Sequence, residues 1–171
     1  MIGCSCKNES DLEIVKKFKP DVKYFKAELA SLHFKTETRS IANVDTLYKQ
    51  MIKNYNLPVS AEGCKDGIYT ASSPADAFDY SHVTTIEIKN EKIVAVAYDE
   101  VLPSGKGKEH DPQYNEDFEV MGTTPKEFYP VYRQDLLDKQ NIMQIDGISG
   151  ASYTLYRFRY ALMIALMKAK I

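Results

Sequence analysis

Residues 153 to 169 constrain this chain more than any other stretch. Leu155, Phe158, Leu162, Met163, Ile164, Ala165 and Leu166 leave a helix here apolar on nearly every face, and such a helix has to lie inside a folded body. Arg157, Arg159, Lys168 and Lys170 are its few polar positions, the last two suited to the negative end of a helix. No run of the chain approaches the roughly 18 apolar residues of a membrane span, so other parts of the protein must cover this one.

The chain can supply that cover. It has 171 residues, 44% hydrophobic and 27% charged, the balance of a globular domain with a smaller appendage. Lys and Arg number 22 against 24 Asp and Glu, so the basic field that nucleic-acid binding uses is absent and a nucleic-acid partner is not expected. Twelve tyrosines and no tryptophan give rings with a polar handle, suited to a core or to a half-buried pocket.

Three helices are expected before residue 60. Leu12, Ile14, Val15 and Phe18 form the first, closed by Pro20. Asp21 opens a second carrying Val22, Phe25, Leu29 and Leu32 at three- and four-residue steps. A third follows Asp45, with Leu47, Met51, Ile52 and Tyr55. Residues 1–65 thus read as a tether and helical region, and residues 66–171 as the main domain. From Asp66 the period shortens. Gly67 to Thr70 reads as a strand, and His82 to Lys89 as a half-buried one with Val83, Thr85 or Ile86, and Ile88 inward. Ile93 to Tyr98 reads as its hairpin partner across Asn90-Glu91. Residues 103–125 are expected as a long covering loop, with Lys106 and Lys108, beside Gly105 and Gly107, either in a flexible charged part of it, the favoured reading, or reaching a phosphate or a redox partner. Thr124 and Pro125 start a helix running to about Lys139. The fold class is therefore α+β: a small antiparallel sheet packed by a buried C-terminal helix, with an N-terminal helical extension.

The chemistry gathers where Asp146-Gly147-Ile148-Ser149-Gly150-Ala151-Ser152 enters the C-terminal helix. Small residues permit close approach of a ligand, and the first helix amides are unpaired donors carrying about half a positive charge, a site for a phosphate. Ser149, Ser152 and Thr154 offer hydroxyls there, either as caps or facing a ligand. His33, His82 and His110 suggest no ligand set, and the acids Glu109, Asp111, Glu116 and Asp117 lack the spacing of a calcium loop.

This stretch resembles the pattern Asp, two variable residues, Ser or Thr, Gly, Ala, Ser or Thr of FMN-binding domains in bacterial electron-transfer proteins. Those include subunits of sodium-pumping and ion-pumping respiratory complexes, and flavinylated lipoproteins of extracellular electron transfer. Asp66 to Ala71 resembles the family's opening strand, and Lys89 to Val96 its hairpin. Tyr98-Asp99-Glu100-Val101, Tyr114-Asn115 and Leu136 to Gln140 are similar to the lipoprotein branch. The resemblance spans residues 66 to 171. It implies an FMN-carrying electron-transfer protein rather than an enzyme, in which a flavin transferase esterifies the FMN phosphate to Ser152. Ser149, Gly150, Ala151 and Asp146 would shape the phosphate turn, with Tyr98 and Tyr153 as ring contacts. This sequence has serine where threonine is the usual acceptor, and Tyr153 where a small or imidazole side chain is commoner. Two other functions share the fold: a cell-surface binding module that has lost the flavin, and a non-covalent FMN-dependent reductase.

Met1-Ile2-Gly3-Cys4 resembles the end of a bacterial lipoprotein signal, with Cys4 as the lipidated residue. It implies a cell-envelope location, a lipid anchor on the outer face of the cytoplasmic membrane or in the periplasm, while the family resemblance implies a redox partner protein or quinone-linked donor. Cys6 and Cys64 could pair in that oxidising compartment. Replacing Cys4 by serine is expected to move the native protein from the membrane to the soluble fraction of its host, checked by fractionation and immunoblot.

Overall fold

The computed structural model describes residues 46, 49–50, 52–54, 56–72, 75–76 and 78–171. The first two expected helices, Cys4 and Cys6 lie outside the described residues, and the third helix is seen at residues 46, 49–50 and 52–54. Three strands follow, β1 (Gly67–Ser72), β2 (Ser81–Lys89) and β3 (Lys92–Val101), and three helices, α1 (Pro112–Phe118), α2 (Pro125–Lys139) and α3 (Ser152–Lys170). Short 3-10 turns occupy Glu119–Met121 and Ile142–Gln144. The fold is α+β, a sheet of order β1-β2-β3, antiparallel throughout, with α2 and α3 on one face. Among the described residues no helix is long and apolar enough to cross a membrane.

The hairpin forms as its sequence predicts. Asn90 and Glu91 both take left-handed conformations, φ 51° and 58°, the geometry of the tight turn that matches strand twist. Beyond it the register slips between Glu87 and Ile88, so Ile88 pairs with Ile93 and Glu87 with Ala95, leaving Val94 as a bulge. The bulge switches the parity of β3. Ile93 faces the core on one side of it, Val96, Tyr98 and Glu100 on the other, opposite His82, Thr84, Ile86 and Ile88 of β2. Val83 and Thr85, expected to point inward, are only half-buried because the even-numbered residues of β2 hold the core face.

Both helices meet the sheet at Tyr98. Its ring packs edge-on against Tyr129 of α2, centroids 5.0 Å apart, and 4.5 Å from Phe158 of α3. Helix α2 begins as the sequence suggests, with Pro125 in the first position and the Thr124 amide donating to the Glu127 carboxylate at 2.8 Å. At its other end Gln140 donates to the Ile93 carbonyl (2.9 Å) and accepts from the Ile93 amide (2.8 Å), tying α2 to the hairpin. The stretch expected as a long loop contains α1, and Asn115 clamps it: its side-chain amide donates to the carbonyls of Lys108 and Asp111, and its oxygen accepts from the Lys126 amide.

Residues 57 to 65, on the extension side of the expected boundary, join the core. Leu57, Ala61 and Cys64 are buried, the Val59 carbonyl accepts from Ile142, and the Lys65 amide donates to Ala169. Burial against α3 pushes the Cys64 thiol up.

Arg159 is the one arginine fully inside α3's buried face. Its guanidinium donates to the carbonyls of Ile142 (3.0 Å), Met143 (3.3 Å) and Ile145 (2.8 Å), which fixes the segment leading into the turn before α3. Those carbonyls lie outside regular pairing and need a donor. Arg159→Met keeps the length of the side chain but strands them, and is expected to cost about 3 kcal/mol, measured by chemical denaturation.

Candidate functional site

The turn into α3 is shaped by Gly150. Its φ of +83° is left-handed, the conformation that favours glycine, and a side chain there would also bring a Cβ to a tight 3.3 Å from the Met121 carbonyl. Ala151 is the N-cap and is buried, its carbonyl accepting from the Leu155 amide and from the Tyr132 hydroxyl, both at 3.1 Å. Leu155 is thus the first residue of the helix whose amide reaches back along it. The amides of 152 to 154 have no intrahelical acceptor, as at any helix start.

No side chain caps this 19-residue helix. Thr154, one of three hydroxyls available by sequence, donates instead to Glu100 at 2.9 Å. Ser149 is exposed, Ser152 half-buried, and neither hydroxyl takes part in a hydrogen bond among the described residues. Asp146 lies at the surface, paired with Lys139 at 2.7 Å, its amide bonded to Asp135; it anchors the turn to α2. Tyr153 is 42% exposed and borders the cleft beside the helix end, whereas Tyr98 is 3% exposed and enclosed in the core.

That cleft measures about 190 Å³. Gly150, Tyr153 and Thr154 form one side, and Phe78, Tyr114, Phe118 and Phe128 give it aromatic walls. Its floor is charged: Glu100, Lys108 and Arg157. Lys108, expected in a flexible loop, is buried because that loop is strapped to β3. The Asp99 carboxylate accepts from the amides of Glu100 (2.8 Å), Lys108 (3.1 Å) and Glu109 (3.2 Å). Gly107 passes so close that any Cβ would collide with that carboxylate. The strap places the Lys108 ammonium 2.5 Å from Glu100, and 4.1 and 4.7 Å from the ring centroids of Tyr80 and Tyr114, an aromatic cage for a cation.

Beneath the cleft the network continues. Tyr98 joins Glu100 to His82, with its hydroxyl 2.8 Å from His82 Nδ1 and 3.4 Å from Glu100. His82 Nε2 lies 3.4 Å from Asp76, which Arg157 contacts at 3.0 Å. Burial opposes ionisation of Asp76, but hydrogen bonds from His82 and the amides of Phe78 and Tyr80, with the Arg157 charge, hold it far below the ordinary 3.8. Glu100 is likewise opposed by burial and held down by His82, Lys108 and Thr154. Burial also opposes the charge on Lys108, and Glu100 more than restores it. Tyr129 closes this end; its buried hydroxyl is pushed up by burial and by Glu100 and, among the described residues, completes no hydrogen bond.

Asp76, His82 and Glu100 present ligand atoms close enough for a metal. Two carboxylates already balanced by Arg157 and Lys108 leave no net charge for a divalent cation, so the group reads as an internal salt network. Two other clefts are larger. One of about 790 Å³ is lined by five acids, Glu109, Asp111, Glu116, Glu119 and Glu127, against Lys126 and His110, a lining richer in negative than in positive groups. The other, about 480 Å³, is an open groove beside Val83, Ala97 and Arg133. Sequence reasoning missed Asp76, Glu100 and Arg157, and favoured a solvated loop for Lys108, which is buried against Glu100. The available signal was Thr154 and Arg157, one turn apart on an otherwise apolar helix, which demand polar partners inside.

The chain is similar to the CPE2226 protein from Clostridium perfringens, known as a crystal structure. The two are 31% identical over 63% of this chain and 89% of that one, with a TM-score of 0.59. No protein-family model and no curated protein matches the chain.

Asp76 and Glu100 have carboxyls depressed below unfolded-state values of 3.8 and 4.5. Their stabilisation is therefore present above those values and is lost as pH falls below them toward the folded-state values. Thermal melts from pH 6 to pH 2 are expected to show that loss in the wild type. Asp76→Asn is expected to melt lower at neutral pH and to depend less on pH in the acid range.

Proposed function

We propose that this chain, which belongs to one family with the CPE2226 protein of Clostridium perfringens, is an FMN-binding electron-transfer protein that holds the flavin phosphate at the start of α3, on Ser152. The observation that carries the reading is a long, buried helix whose N-terminus has no side-chain cap while the hydroxyls of Ser149 and Ser152 stay uncommitted. Sequence alone left a capped helix as the alternative. With Thr154 bound to Glu100, an incoming phosphate would take the acceptor role that a cap normally fills.

The residues present fit the group. Gly150 keeps the turn free of a side chain that would meet Met121, and the amides of 152 to 154 supply donors and the positive end of the helix dipole. The adjoining cleft offers aromatic walls for a flat heterocycle. At about 190 Å³ it is smaller than the roughly 300–1,000 Å³ that encloses a drug-sized ligand, so the ring would be held by one side and stay open to a partner on the other. Tyr153 stands at that border; Tyr98 acts from beneath, through Glu100. FMN supplies a ring that accepts and releases electrons, and the protein supplies position, dipole and charge. A redox partner protein or quinone-linked donor would meet the open side, and a lipid anchor at Cys4 would hold the protein at the membrane surface.

Attachment would be made by a separate flavin transferase using FAD. The Ser152 hydroxyl oxygen forms a bond to the phosphorus of the FMN half, the pyrophosphate bond to AMP breaks, AMP leaves, and the hydroxyl proton passes to the transferase or solvent. Coexpression with such an enzyme is expected to add one FMN-phosphoryl unit to the wild type and none to Ser152→Ala. Because Ser152 caps nothing, the alanine protein should melt within about 0.5 kcal/mol of the wild type. Intact mass and flavin absorbance check this. An equal adduct on both proteins overturns Ser152 as the acceptor, and a colourless wild type overturns the flavin reading and leaves a binding module of the same fold.

A further inference from the structure

We infer that Lys108 is a redox-tuning residue, a fixed cation on the cleft floor that stabilises the negative charge a bound flavin ring gains on reduction, with Glu100 as the opposing charge. The inference rests on the flavin reading above and adds to it which residues set the potential. Lys108 and Glu100 both line the cleft next to Thr154 and Gly150, so a ring whose phosphate lies at the helix start would reach them. The Lys108 side chain is 8% exposed and that of Glu100 1%, and charges so enclosed act on a neighbour with far less screening than surface charges.

The ammonium cannot move away. The strap from Asp99 to the amides of Lys108 and Glu109 fixes its backbone, and the rings of Tyr80 and Tyr114 with Glu100 enclose its head. A lysine so caged keeps its proton at neutral pH, so its charge is constant through a redox cycle. Glu100 is fixed equally, by Lys108, Thr154 and Tyr98. Apart from Arg157, which is paired with Asp76, the cleft floor therefore holds one fixed positive and one fixed negative charge, and their effects on an electron-accepting ring have opposite signs. Lys108 favours the reduced state, Glu100 the oxidised one.

The opposite signs make the test. FMN-loaded wild type, Lys108→Met, Glu100→Gln and Lys108→Arg are titrated electrochemically, and the dissociation constants of oxidised and reduced FMN are measured on the Ser152→Ala background, where binding is reversible. Lys108→Met is expected to lower the midpoint potential and weaken binding of reduced relative to oxidised FMN on the order of tenfold. Glu100→Gln should raise the potential, and Lys108→Arg should restore it to near the wild-type value. If the pair served only to hold the fold, both substitutions would weaken oxidised and reduced FMN alike and leave the potential unmoved, which overturns the inference while the flavin reading stands. Potentials shifting in the same direction for Lys108→Met and Glu100→Gln also overturn it. A wild type that takes up no FMN overturns both.

Discussion

Thirteen of the 19 residues of α3 are buried, and covering them organises everything else. A sheet can shield only one side of a helix. The remaining sides are closed by Tyr132 of α2, which stacks on Phe158, by the 3-10 turn Ile142–Gln144 and by residues 57–65, whose amides and carbonyls bond directly to Ala169 and Ile142. Each fully buried Leu, Ile, Phe or Met contributes about 1.5–3 kcal/mol relative to exposure, so a helix of this composition dominates the hydrophobic driving force. The cost is topological. A helix enclosed along its length reaches solvent only at its ends, and the first turn, behind Gly150, is where backbone donors become available to a ligand.

The second constraint is charge placed inside that core. Glu100 stands opposite His82 in the sheet because the Val94 bulge turns the even-numbered residues of β3 inward. A lone buried carboxylate would be unstable. Lys108, Thr154, Tyr98 and His82 surround this one, and Arg157 closes the same account at Asp76. The network joins β2, β3, the 102–108 strap and the first turn of α3. Breaking any member leaves an unpaired group beneath the cleft, so the position of the helix start and the electrostatics of the cleft are one property of the fold.

Much of the architecture was legible in local pattern. The Asn90-Glu91 turn, the Thr124-Pro125 start of α2, the three strands and the C-terminal helix depend on periodicity and turn chemistry within a few residues, and each lies where the sequence places it. The glycine turn at 147–150 was likewise visible. What pattern could not give was the inward face of β3, since a single bulge residue reverses parity and no local signal marks Val94. Helix α1 was hidden for another reason: it has no buried residue, hence no apolar period, and Asn115 holds it by hydrogen bonds to distant backbone.

The sequence by itself determined that the last helix is buried, that a small antiparallel sheet supports it, and that a glycine turn flanked by hydroxyls opens it. These follow from composition, period and backbone sterics. Only the tertiary structure decided that Thr154 turns to Glu100 and leaves Ser152 uncommitted, that Lys108 sits caged rather than solvated, and that Asp76, 81 residues from Arg157 along the chain, meets it. Those outcomes depend on polar and charged groups brought together across the fold, and such a group shows in sequence only its own chemistry, never the partner that offsets its burial.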